Sequence, residues 1–198
     1  MDVLIATTNP AKLEELTVTI KAMCPHITLH SLSEFPNLPE PEETGATFEE
    51  NAALKAKHYA QLTNMPAIGD DGGIMIDALQ GAPGVKSKRW LGRPATDQDL
   101  ISHTLEKLKG VPRNKRSAQF AGAICLYDPN TKHTLCATAA TQGYIAHKPS
   151  SNAIPGFPYR ALLKVLPYDK YYDELSDDEM MESNHRLLAL KKLLQNFH

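Results

Sequence analysis

Two adjacent acids interrupt an apolar stretch in this chain. They stand as Gly69-Asp70-Asp71-Gly72-Gly73, with Pro66-Ala67-Ile68 before them and Ile74-Met75-Ile76 after. Short apolar runs bounded by glycine read as buried strand, so the acids are expected where a buried strand ends. Neighbouring carboxylates are costly to hold close together unless a cation or a positive side chain neutralises them. A divalent cation is one answer, because Mg2+ is held by one or two carboxylates together with the phosphates of its substrate. A solvated acidic turn is the other, and the rest of the chain has to decide between them.

Bulk properties narrow the setting. With 198 residues, 42% hydrophobic and 22% charged, residues 1–198 are expected to form a single soluble domain, with room for two lobes. A net charge of −2 argues against a broad grip on a nucleic-acid polymer. Cys24, Cys125 and Cys136 form no Cys-x-x-Cys, and the last two lie among apolar or small residues. They read as buried free thiols, which predicts a reduced protein of the cytoplasm. No apolar segment approaches the length of a membrane span, and the first residues read as a strand, with no secretory leader expected. The eight histidines show no metal-ligand spacing.

The pattern of elements predicts an α/β fold: a mixed central sheet flanked by helices. A short buried strand over residues 3–6 runs into Asn9-Pro10, a natural cap and first-turn pair, and then into a helix with Leu13, Leu16, Ile20 and Met23 on one face. A second strand is expected over 26–32. Thr47 and Glu50 have capping-box spacing before an Ala-rich helix over 48–62. Thr96-Asp97 caps a further helix ending near Lys109-Gly110. Strands over 117–127 and 133–145, joined by a turn-rich loop, predict a hairpin. A Leu-rich helix over 186–197 closes the chain.

Three clusters sit where chemistry is plausible on physical grounds. Thr7-Thr8-Asn9 and Lys12 form a strand-to-helix turn, and helix N-termini attract anions; ordinary capping explains the same residues equally simply. Glu43 precedes a helix on which Asn51 and Lys55, four apart, share a face; a charged loop there also fits a solvated surface. His185-Arg186 opens the last helix, where Arg186 can stack on or donate to a planar base and His185 can bond a base edge; an exposed, capped helix start is the alternative.

Taken in order, these strings resemble the inosine triphosphate pyrophosphatase, or Ham1-like, family, and the resemblance covers nearly the whole chain. The matching residues are Ala6-Thr7-Thr8-Asn9 with Lys12, Glu43-Thr44-Gly45-Ala46-Thr47-Phe48-Glu49-Glu50-Asn51-Ala52 with Lys55, Asp70-Asp71-Gly72-Gly73, Gly81-Ala82-Pro83-Gly84-Val85, and His185-Arg186. The resemblance implies an elongated, two-lobed fold with a cleft between the lobes, a homodimer, and Mg2+-dependent hydrolysis of a nucleoside triphosphate to monophosphate and pyrophosphate. It implies catalytic roles for Asp71 and Lys55, and Asp71, Glu43 and Asp70 as metal ligands. Substrate contacts would come from Thr7, Thr8, Asn9, Lys12, Gly72, Phe157, Tyr159, Arg160, His185 and Arg186.

Departures from the family pattern gather in the part that should read the base. Its G-F-G-Y-D-P stands here as Gly156-Phe157-Pro158-Tyr159-Arg160-Ala161, so a carboxylate has become Arg160 and a glycine has become Pro158. A family lysine falls at Met180, and the serines expected at 184 and 72 are Asn184 and Gly72, while Thr8 replaces a glycine. The family default is removal of ITP, dITP or XTP. Two alternatives are the same chemistry on another base and a catalytically weak nucleotide-binding protein.

Overall fold

The computed structural model describes residues 1–195; the predicted end of the last helix at 196–197 lies outside the described residues. The chain lays down strand β1 (Asp2–Ala6), helix α1 (Pro10–Met23), β2 (Thr28–Ser31), α2 (Phe48–Thr63), β3 (Ala67–Ile76), α3 (Asp97–Lys107), β4 (Ser117–Asp128), β5 (His133–Ile145), β6 (Leu163–Val165), β7 (Lys170–Tyr171), α4 (Asp177–Ser183) and α5 (His185–Gln195). One sheet has the order β2-β1-β3-β4-β5-β6-β7. β1 pairs in parallel with β2 and β3, and β6 pairs antiparallel with β5 and β7, so the sheet is mixed.

Two compact units divide the chain. The first holds Met1–Gly72, Gly122–Ala139 and 185–198; the second holds Gly73–Ala121 and Ala140–Asn184. In the first unit β1 is buried on both faces, as expected of a central parallel strand. Val3 and Ile5 pack with Leu16 and Ile20 of α1 and with Leu190 and Leu193 of α5. Leu4 and Ala6, pointing the other way, pack with Ala52, Ala56 and Ala60 of α2. In the second unit Ile74, Ile76, Leu100, Phe120, Leu162 and Tyr172 form a separate core.

Local caps behave as their residues dictate. Asn9 Oδ1 accepts from the N–H groups of Ala11 and Lys12, and Thr47 and Glu50 close the capping box of α2. Three sequence expectations need correction. β3 does not end at the acids; it runs through them to Ile76, because the apolar residues on both sides belong to one strand. Cys125 and Cys136 are bonded to each other and are not free thiols. They flank the Asp128–His133 connection at equal distance, so the hairpin register sets them opposite one another, and the thiol-based case for a reducing compartment falls away. Finally, β6, β7 and α4 have no counterpart in the sequence reading.

No described helix is long and apolar enough to cross a membrane.

Candidate active site

Strand alternation separates the two acids. Successive side chains on a strand point to opposite faces, so Asp70 meets α1 and α5 while Asp71 meets α2. Both are buried. Asp70 Oδ2 accepts from Lys12 Nζ at 2.6 Å and Oδ1 from Arg186 Nε at 3.0 Å. Burial alone would raise this carboxyl, but Arg186 and Lys12 outweigh it and hold it well below the ordinary carboxylate range. Asp71 has weaker company: Asn51 Nδ2 donates to Oδ2 at 3.2 Å, and Lys55 Nζ stands 3.4 Å from Oδ1. Burial raises Asp71, Lys55 only partly offsets it, and Glu43 pushes the same way as burial.

α2 reaches the acids because β3 carries no side chain where the two elements touch. A Cβ on Gly69 would come within 2.2 Å of the Ala52 carbonyl oxygen and 2.7 Å of the Ala56 nitrogen. That contact sets Lys55 beside three oxygens. Its ammonium donates to Glu43 Oε1 at 2.7 Å and to the Asp70 carbonyl at 3.0 Å, with Asp71 Oδ1 next. Burial pulls the Lys55 ammonium down, yet Asp71 and Glu43 override it and leave it raised. Asn51 links the loop to the strand: it accepts from the Gly45 N–H at 2.8 Å while donating to Asp71. Sequence reading paired Asn51 with Lys55 but gave Asn51 no role.

The backbone of the turn after β1 follows the capping reading. The N–H groups of Thr7, Asn9, Ala11 and Lys12 are all engaged inside the turn. The Thr8 side chain is exposed, and the Lys12 side chain remains partly so at 19%. Burial and Arg186 lower the Lys12 pKa, against the pull of Asp70.

His185 and Arg186 are buried, neither of them exposed at a helix start. Arg186 bonds Asp70 and, through Nη1, Glu15 Oε2 at 2.7 Å. Asp70, expected as a metal ligand, has both oxygens on cations, on the face away from Asp71 and Glu43. Among the described residues no group of three or more His, Cys, Asp or Glu side chains is set to hold a metal. Gly72 follows Asp71 within β3 and closes this part of the first unit.

The residues expected to read a base lie in the second unit. Arg160 is buried, its guanidinium 3.8 Å from the Phe157 ring centre and 4.9 Å from that of Tyr172. Tyr159 is buried too, and its hydroxyl donates to the Ser87 carbonyl at 2.7 Å. Met180 packs against this unit's core and accepts a weak bond from Asn184.

A mixed sheet with flanking helices, and lysines and carboxylates gathered within one unit, place the protein among α/β enzymes. The chain belongs to the Ham1 family, whose profile matches residues 3–196. It is 40% identical over 195 residues to a dITP/XTP pyrophosphatase of Streptococcus pneumoniae, covering 98% of this chain and 95% of that protein. It is 38% identical over 192 residues to the dITP/XTP pyrophosphatase of Bacillus subtilis, covering 97% and 94%. Among solved structures, a HAM1 protein from Coxiella burnetii superposes with a TM-score of 0.87 at 34% identity, covering 100% of this chain and 98% of that one. The Ham1 protein of Staphylococcus aureus gives 0.84 at 32% identity, covering 100% and 97%.

Proposed function

We propose that the protein is a nucleoside triphosphate pyrophosphatase that uses Mg2+ and removes non-standard purine nucleotides such as ITP, dITP and XTP. Family membership and relatives named dITP/XTP pyrophosphatase support the reaction. The contrast between the neighbours Asp70 and Asp71 supports the mechanism: one is neutralised by two cations, and the other is left raised by burial.

Glu43 and Asp71 fit a magnesium ion. Both converge on the Lys55 ammonium, and carboxylate oxygens are the hard donors Mg2+ takes while keeping positions for phosphate and water. When bound, it would neutralise phosphoryl charge and lower the pKa of a coordinated water. Asp71 is the general base, since a carboxylate raised toward working pH accepts a proton more readily. A water oxygen bonds to the α-phosphorus, Asp71 takes its proton, and the bond to the bridging oxygen breaks as pyrophosphate leaves. Lys12 and Lys55 bind phosphate oxygens, and Lys55 stabilises the charge that develops as the bond breaks. Thr7, Thr8 and Asn9 shape the turn that carries Lys12.

One observation favours a second reading, a shifted base preference. Arg160 is stacked on aromatic rings and Met180 is packed into a core, so neither supplies the donor or acceptor the family places there. A panel of triphosphates assayed for pyrophosphate release with Mg2+ tests both. Preference for ITP, dITP and XTP supports the first reading, and another preferred base supports the second. Release should fall by about 10²–10⁴ or more in Asp71→Asn. No release from any triphosphate by the native protein overturns the assignment.

A further inference from the structure

One residue of the first unit, Glu15, takes no part in the chemistry above yet is tied to it through Arg186. Lys12 and Glu15, three apart on α1, lie on one helical face. Lys12 Nζ donates to Asp70 Oδ2 at 2.6 Å, Arg186 Nε donates to Asp70 Oδ1 at 3.0 Å, and Arg186 Nη1 donates to Glu15 Oε2 at 2.7 Å. α1, β3 and α5 are thereby joined by a chain of alternating charges, Lys12, Asp70, Arg186 and Glu15, with no net charge. Asp70 and Arg186 are only 3% and 4% exposed; Lys12 and Glu15, at 19% and 21%, form the wetter side.

A lysine that is to meet phosphate must loosen its hold on its own carboxylate. Asp70 can release Lys12 only if a second cation stays on it, because an unpaired buried carboxylate is strongly disfavoured. Arg186 is that cation, and its planar fork binds two carboxylates at once. Arg186 is a buried positive charge that shares Asp70 with Lys12. Glu15 supplies the counter-charge on its far side and fixes the direction of the fork.

We propose that Glu15 is a positioning residue for polyphosphate binding: it anchors Arg186 on Asp70 and so frees Lys12 for the phosphates. The proposal rests on the triphosphate reading of this site. Without Glu15, Arg186 turns away from Asp70, and Asp70 keeps Lys12 for itself. Asp71, Lys55 and Glu43 are not members of this chain of charges, so the chemical step is spared.

The test compares the native full-length protein with Glu15→Ala and Glu15→Gln. Turnover of dITP with Mg2+ gives kcat and KM, and calorimetry gives the Kd of inorganic tripolyphosphate, which carries no base. In Glu15→Ala, KM and Kd should each rise about tenfold while kcat stays within about threefold. Glu15→Gln keeps an acceptor oxygen and should rise about threefold. A purely structural Glu15 would lower the melting temperature and the active fraction while leaving KM and Kd unmoved, and that result overturns the proposal. If Glu15→Ala does not fold, Glu15→Gln decides by the same two constants. A native protein that turns over dITP with both constants unmoved in the variants overturns only the role of Glu15. A native protein that neither hydrolyses dITP nor binds tripolyphosphate overturns the triphosphate reading, and the role of Glu15 with it.

Discussion

Asp70 and Asp71 are joined by one peptide bond, yet they face opposite layers of the first unit and are displaced in opposite directions from an ordinary carboxylate. Asp70 is clamped by Lys12 and Arg186; Asp71 touches Asn51 and Lys55. The concern that two adjacent acids must repel one another is therefore settled by the pleat of the strand. Their surroundings differ accordingly: one holds two cations in place, and the other is left raised by burial.

Substitution should separate the two acids. Asp70→Asn takes a charged partner from both Lys12 and buried Arg186, and should lower stability by about 2–3 kcal/mol at pH 7 in denaturant titration. The folded Asp70 carboxyl lies below its unfolded value of about 3.9. Its stabilisation is therefore full above that pH and is lost as pH falls through the folded value, so the gap between native and variant should begin to narrow below about pH 4 and close only at more acid pH. Asp71→Asn should do the reverse. The Asp71 pKa is raised on folding, so removing its charge at pH 7 should leave the midpoint unchanged or higher while turnover disappears.

Lys55 holds Glu43 and Asp71 with one ammonium. Lys55→Met should reduce kcat by about 10²–10³ through lost charge stabilisation, and the two carboxylates left facing each other should respond more steeply to added Mg2+. Turnover as a function of Mg2+ concentration checks both.

Gly69→Ala puts a methyl group where the α2 backbone already stands. The helix has to move, which should lower stability by about 1–3 kcal/mol and displace Asn51 and Lys55 together. Kinetics should show a loss in kcat beyond anything the stability change explains. An unchanged melting temperature would contradict the close approach of β3 and α2.

The bond between Cys125 and Cys136 closes a span of 11 residues. Loop-closure entropy makes its removal worth about 2–3 kcal/mol, so Cys125→Ser with Cys136→Ser should lower the denaturation midpoint, and treatment of the native protein with a dithiol should do the same. Thiol titration under denaturing, non-reducing conditions should count one free cysteine, Cys24.

What could be read from the chain was mostly local. Asn9, Thr47 and Glu50 announce their helices because a cap acts within three residues. The 133–145 strand shows because alternation and a turn bound it. β6 and β7, of three and two residues, are too short to carry a period. α4 is short as well, though Ser176 and Glu179 formed a readable capping box. The facing of Asp70 and Asp71 followed from strand alternation once β3 was seen to continue past them. Equal spacing from the hairpin turn was the available signal for the cysteine pair. Arg186 was the hardest: both a base contact and an exposed helix start fitted its position, and its partners lie 116 and 171 residues away.

That separation in sequence has a consequence for how the protein comes into being. As the chain leaves the ribosome, Lys12, Glu15, Lys55 and both acids are made early, but the guanidinium that holds Asp70 in place arrives with α5. A fragment that stops short of Arg186 carries Asp70 and Lys12 without the second cation on that carboxylate. The surroundings of Asp70 are thus settled only once α5 is in place.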